Sequence, residues 1–233
     1  ASLGFFKIDY KNVITFPGFN VVTEPNNPLY DRYRIYNPTA AQVTTAVGSM
    51  RHDGLVYPDV TALPTAVYDL RRQNFATQNI EGLDYDVRYR VTTDVGNLGF
   101  GVGGTRLTKF RQTINGDTRT SSRLDTNYAV KWLGRGNASW SHGAWTAVLF
   151  GNYTGSYVNT STNKRIKAFK TVDLHLGYAP EGEGLLSGIE LSLDVSNLTD
   201  QDPPTFADTN ASNIDFTRSN PIGRMWTVGL RKR

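Results

Sequence analysis

Residues 30–36, YDRYRIY, bring Tyr30, Arg32, Tyr33, Arg34 and Tyr36 into one short stretch. Guanidinium forks donate paired hydrogen bonds to carboxylates and phosphates, and phenol rings offer flat faces for stacking. The combination suits capture of an anionic or planar small molecule. It equally suits a loop that packs on its own rings. A second set is acidic: Asp84 and Asp86 in one segment, Glu190 and Asp194 in another. Paired carboxylates can do acid–base work. The i, i+2 spacing, however, is what any wetted strand face shows, and Arg88 and Arg90 continue the first series. Mixed signs on one face favour pairing between neighbours and a polar lining. Asp173 and His175 repeat the pattern. The histidines, His52, His142 and His175, fall in three different segments without metal-ligand spacing. No nucleophile elbow, P-loop or dinucleotide fingerprint occurs. Gly101-Val102-Gly103-Gly104 lies within a strand rather than before a helix, which disfavours phosphate binding. The residues therefore point to a binding protein, with no enzyme activity, cofactor or metal expected.

The elements that would carry these residues are strands. From Ile189 the chain alternates: Ile189, Leu191, Leu193 and Val195 against Glu190, Ser192, Asp194 and Ser196. A period of two gives one apolar and one polar face. The same unit recurs in eight segments, at about 3–15, 68–92, 98–112, 123–140, 144–157, 168–179, 189–196 and 223–233. Leu83, Tyr85, Val87, Tyr89 and Val91 oppose Asp84, Asp86, Arg88 and Arg90. Leu98, Phe100 and Val102 oppose Gly99, Gly101 and Gly103. Val172, Leu174, Leu176 and Tyr178 oppose Thr171, Asp173, His175 and Gly177. A bulge is expected near Gly134–Gly136. Residues 16–67 hold six prolines and read mostly as loop. Within them Asn37 is placed to cap a helix that has Pro38 in its first turn and runs to Val47.

Alternation alone does not say which face is wet. A soluble sandwich turns its apolar face to another sheet; an outer-membrane barrel turns it to lipid and lines its lumen with the polar face. Connection lengths separate the two. Turns at 93–97, 141–143 and 181–184 are short, whereas the loops at 16–67, 113–122, 158–166 and 201–221 are longer. Barrels of the outer membrane differ at their two ends in this way. Strands of a dozen residues also exceed the usual soluble length and suffice to span a bilayer. On this reading Asp84, Asp86, Arg88, Arg90, Asp173, His175, Glu190 and Asp194 face the lumen.

Composition is compatible. The 233 residues include 22 glycines and 12 tyrosines, which suits turn-rich β structure with aromatic girdles and equally a lectin-like sandwich, and no cysteine. The net charge of +4 is spread along the chain, so no nucleic-acid partner is expected. The start, ASLGFFKIDYK, lacks the basic end and apolar core of a signal peptide.

Several stretches resemble TonB-dependent outer-membrane receptors. FFKIDYKNVITF is similar to an ascending strand of that family, and NPTAAQVTTAVG to a helix of an extracellular loop. QNFATQNIEGLDYDVRYR resembles the strand built around an N…GvE core, with Leu83-Asp84 where Val-Glu is commoner. VDLHLGYAP, ELSLDVSNLTDQDPPTF and NPIGRMWTVGLRKR resemble the last three strands in order. SNLTDQDPP matches the NLFD-then-proline signature, with Thr199 in place of Phe. The family's last strand usually closes on an aromatic residue, where Arg233 stands here. The resemblance implies an all-β fold, an antiparallel transmembrane β-barrel segment of about eight strands from a 22-stranded barrel. Residues 1–233 would be its C-terminal portion, with plug and TonB box absent and a long extracellular loop at 16–67. It implies a bacterial outer-membrane importer of a siderophore, haem, vitamin or carbohydrate. Its partners would be the remaining barrel and plug, the TonB complex, lipid and a small-molecule ligand. Two other readings are a complete eight-stranded barrel with a structural or adhesive role and a soluble carbohydrate-binding or glycan-hydrolysing β-sandwich.

Overall fold

The computed structural model describes residues 1–15, 20–47, 65–180, 188–207 and 213–232. The expectations for His52, for the connection at 181–184, for Arg233 and for residues 16–19 and 48–64 of the long loop lie outside these. The elements in chain order are β1 (Ser2–Thr15), α1 (Asn20–Thr23), a 3-10 turn (Pro28–Tyr33), β2 (Arg34–Tyr36), α2 (Ala40–Val47), β3 (Ala66–Tyr68), β4 (Gln73–Thr93), β5 (Gly96–Ile114) and β6 (Thr120–Ser122). They continue as β7 (Trp132–His142), β8 (Trp145–Thr154), β9 (Tyr157–Asn159), β10 (Lys164–Ile166), β11 (Phe169–Tyr178), β12 (Ile189–Ser196) and β13 (Met225–Lys232). The main sheet has the order β1-β4-β5-β7-β8-β11-β12-β13, with β6 beside β5. These eight strands are the eight expected from alternation. Pairing is antiparallel from β5 through β13. β1 and β13 end the order and are not paired with each other among the described residues.

Register turns alternation into a surface. Because opposed residues share a face, Phe100, Ala138, Leu149, Leu174, Val195 and Trp226 form one row across six strands. Leu98, Trp140, Ala147, Leu176, Leu193 and Val228 form the next. The opposite face aligns Gly99, Ser139, Val148, His175, Asp194 and Thr227. β4 joins β5 through Asp94–Val95, and β7 joins β8 through Gly143–Ala144. Gly96 and Gly143 take positive φ there, and a Cβ on Gly96 would meet the Ser141 carbonyl oxygen. Glycine is required at that turn.

The chain separates into two compact units, one of residues 1–8, 79–111 and 122–233, the other of residues 9–78 and 112–121. The smaller has its own core of Val21, Tyr30, Tyr33 and Phe75, with Leu29, Tyr68, Leu70 and Ile114 against it. Within the larger, Val130, Tyr157 and Ile166 form a second buried cluster capped by Phe206.

Several local expectations are corrected. Asn37 does not cap the helix; it sits at φ 47. Thr39 does, through a reciprocal capping box in which its Oγ1 accepts from the Gln42 amide at 3.3 Å and its own amide donates to Gln42 Oε1 at 2.8 Å. The strand expected over 68–92 is broken after Tyr68, where Asp69 accepts from the Arg71 amide at 3.1 Å and turns the chain. The strand expected from 123 begins at Trp132, because Thr126 bonds the Arg123 carbonyl at 2.6 Å and Asp125 takes φ 64. No bulge occurs at Gly134–Gly136, which pair one-to-one with Gly104–Val102 and with Tyr153–Gly151. The segment read as loop at 158–166 contains the β9–β10 hairpin.

Candidate ligand site and the membrane-facing wall

The five residues of the aromatic–basic cluster do not share one surface. Asn27 starts the 3-10 turn by accepting from the Leu29 amide at 3.0 Å, and Pro28 supplies its first position. The turn then drives Tyr30 and Tyr33 inward, where their rings meet Phe75 at 6.4 and 5.3 Å. Burial raises the pKa of the Tyr30 phenol. Arg34 is buried too. Its guanidinium donates to the carbonyls of Glu24 and Asn27 at 2.8 Å each and to Asp31 at 2.6 Å. Of the five, Tyr30 is sealed in the core, and Arg34 spends its donors on the loop itself.

Arg32 and Tyr36 remain exposed. The Arg32 guanidinium lies 5.1 Å from the Tyr33 ring centre, and Tyr36 meets Tyr68 edge-on at 6.4 Å. A cavity of about 570 Å³ opens beside them, lined by Arg32, Ile35, Tyr68, Leu70 and Arg71 and by the Ala41–Ala46 stretch of α2. Arg71, which the sequence reading did not single out, pairs with Asp69 at 2.6 Å and holds that carboxyl below its usual range. Apolar walls with arginine at the rim suit a solute with an apolar body and an anionic group. Nearby, Arg119 pairs with Asp117 at 2.9 Å and Glu24 at 3.2 Å. Its hydrogen bond lowers the Asp117 pKa; Glu24 is lowered first by Asn27 and then by Arg119.

The carboxylates of the strands are partnered locally rather than gathered. Thr105 donates to Asp84 at 2.5 Å, and Arg88 pairs with Asp86 at 3.0 Å. Asp173 accepts from Asn152 at 2.7 Å and from the Asn197 amide at 2.9 Å. His175 Nδ1 lies 2.7 Å from Asp194. Glu190 stands opposite Arg231. Arg90 reaches past Gly99, with its Cγ 3.9 Å from where a Cβ there would be. Asp173, His175, Glu190 and Asp194 share the polar face, each on its strand's alternate positions. Asp84 and Asp86 are on β4 and Glu190 and Asp194 on β12, so register does not bring the two pairs together. No cluster of metal-ligating side chains occurs among the described residues.

Two features escaped the sequence reading. One is the loop network around Tyr157, whose hydroxyl donates to Asp215 at 2.6 Å while Arg218 sits 5.3 Å from the ring centre. Burial, and then Asp215, raise the pKa of this phenol. Asp125 is lowered by Arg165 and Lys131, at 3.0 and 3.1 Å. Tyr157–Asp215 and Arg165–Asp125 join residues 58 and 40 positions apart, which no local pattern announces. The other is a pair of aromatic bands on the apolar face. Trp140, Trp145 and Tyr178 lie toward the short turns, with Trp145 and Tyr178 4.5 Å apart. Tyr85, Trp132, Tyr153 and Trp226 lie toward the long loops. Trp132 to Trp140 and Trp145 to Tyr153 each span eight residues, about 27 Å of strand. From β5 through β13 no charged residue falls on this face between the bands. The spacing was present in the sequence, but only the register shows that Trp145 and Tyr178 stand directly opposite each other and that Tyr153 stands within two residues of Trp132.

A charge-free face between two aromatic bands, backed by a polar face, is the wall of an antiparallel transmembrane β-barrel. The family described as TonB dependent receptor-like, beta-barrel matches residues 1–198, and the chain belongs to it. No curated protein and no solved structure matches the chain.

Proposed function

We propose that residues 1–233 form the C-terminal portion of the barrel of a bacterial outer-membrane receptor that imports a scarce solute with energy delivered through TonB. The charge-free band between aromatic girdles carries this reading, because water would not leave such a face uncovered. The rest of the barrel would pair with the edges of β1 and β13, since lipid tolerates no open edge. The polar face, with Asp84, Asp86, Arg88, Arg90, Asp173, His175, Glu190 and Asp194, would line the lumen around a plug. With the carboxy terminus in the periplasm, β13 descends, and β12 and β1 ascend. The loop at 16–67 then opens outside the cell, and its cavity beside Arg32 and Arg71 receives the solute.

The test is growth of a receptor-deletion strain with one solute limiting at a time: a ferric siderophore, haemin, cobalamin or a maltodextrin. Loss of growth on one, restored by the receptor only when TonB is present, is the expected result. Restoration without TonB would overturn the coupling, and no loss on any solute of the panel would overturn import of these classes.

A further inference from the structure

The membrane-facing side of β7 and β8 is not a flat apolar wall. Gly134 and Gly136 on β7 and Gly151 on β8 fall together on this face, with Gly136 and Gly151 directly opposed. Tyr85, Trp132 and Tyr153 stand around them, and the resulting groove encloses about 340 Å³. Its bed is open: a Cβ on Gly151 would meet nothing within 4 Å. The Tyr85 hydroxyl leans over the groove, 3.2 Å from where a Cβ on Gly134 would be, and its ring meets Trp132 edge-on at 6.4 Å. Among strands otherwise faced with larger apolar side chains, this is a trough floored by glycine.

The rim of the groove is cationic. Arg106, opposite Trp132 in the register, holds its guanidinium 5.0 Å from the indole centre. Lys170, opposite Tyr153, holds its ammonium 5.7 Å from the phenol centre. Both are exposed, and neither has a carboxylate within ion-pair distance among the described residues. Arg224, the third cation over a ring of this band, differs, since Asp200 pairs with it at 3.8 Å. Arg106 and Lys170 stand on β5 and β11, three strand spacings or about 14 Å apart across the sheet and two residues apart along it. They sit at the long-loop edge of the charge-free band, at the depth of lipid headgroups.

We propose that this groove binds a phosphorylated membrane lipid, with an acyl chain laid over Gly134, Gly136 and Gly151 and phosphate held by Arg106 and Lys170. Charge complementarity selects this occupant. A neutral lipid would leave two exposed cations without a counterion, and a second copy of this chain would bring the same cations against them. The inference rests on this face being turned to lipid, and the experiment separates the two claims.

Native mass spectrometry of the purified receptor, titrated with phosphatidylglycerol or with phosphate-free diacylglycerol of the same chains, reads the site. Retention of phosphatidylglycerol above diacylglycerol is expected. Arg106→Gln with Lys170→Gln should cut phosphatidylglycerol retention at least tenfold and leave diacylglycerol retention and the far-UV spectrum unchanged. Gly151→Leu, whose side chain enters open space on an apolar face, should reduce retention of both lipids. Equal retention of both lipids by the native protein would overturn the phosphate assignment while leaving the lipid-facing reading intact; retention of neither would overturn both. Full competition by inorganic phosphate would reduce the cations to a headgroup-free anion site and overturn the lipid. A charge-independent dimer in the spectrum would give the groove to a second copy and overturn it likewise.

Discussion

On the sheet, Val228 and Leu230 leave 77% and 73% of their surface open; in the core of residues 9–78 and 112–121, Tyr30 and Phe75 leave 0% and 1%. The two regions are similarly rich in apolar residues and treat them in opposite ways. A strand face that dissolves in lipid needs no partner layer. A loop of several dozen residues in water must bury its rings against one another or stay unfolded. The same contrast holds for charge. Cations away from the apolar face are largely matched, as Arg34, Arg119, Arg165 and Arg88 show, whereas Arg106 and Lys170 on the apolar face rest on rings instead.

The contrast is sharpest for a single residue type. Phe75→Ala, where the start of β4 packs on Tyr30 and Tyr33, opens a cavity in that core and should cost about 3–5 kcal/mol. Phe100→Ala, on the exposed face, forfeits only the transfer of the ring into lipid, about 1.5–3 kcal/mol at most. Urea unfolding in detergent micelles compares the two, and equal losses would break the distinction. A charge tests it next. Leu193→Arg, on the charge-free face, should cost about 2–4 kcal/mol, and the same change at Ser192 on the polar face much less. Equal losses in the same unfolding series would mean that the faces are assigned wrongly.

Tyr157→Phe probes the second loop cluster. It removes a hydrogen bond to the Asp215 carboxylate and should cost about 1.5–3 kcal/mol. Its pH dependence has a defined sign. Folding raises the phenol's pKa, so its contribution is complete below about pH 10 and is lost as pH rises above that value. The native protein should therefore lose stability in alkali relative to Tyr157→Phe, which has nothing to titrate. A constant difference between them up to pH 12 would refute the coupling. The smallest effect is expected where side chains are open to water. Arg32→Ala with Arg71→Ala should weaken solute binding to whole cells about tenfold without changing receptor abundance. Unchanged affinity would remove the cavity from the import route.

What could be read in the sequence follows the same division. Strand faces were legible because alternation is a one-dimensional signal: Ile189–Ser196 and the faces of Phe100, Leu149 and Leu174 stand as the period of two requires. The loops were not, because their contacts are set by distant partners. Arg34 looked available for ligand, and only the carbonyls of Glu24 and Asn27 folded back onto it decide otherwise. Tyr157 needs Asp215, 58 positions away. Cap and bulge errors were of another kind. Asn37 and Thr39 both have capping side chains, and Gln42 selects Thr39 by answering it; glycine at 134 and 136 marks a groove rather than an extra residue.

The separate core of residues 9–78 and 112–121 has a bearing on inheritance. Val21, Tyr30, Tyr33 and Phe75 satisfy one another without drawing on the residues of the charge-free band. Substitutions that reshape the cavity beside Arg32 are therefore screened only for keeping that small core intact. The shape of that cavity can drift while the strands of the charge-free band keep their sequence, and a graft between relatives carries this core with it only if residues 9–78 and 112–121 move together.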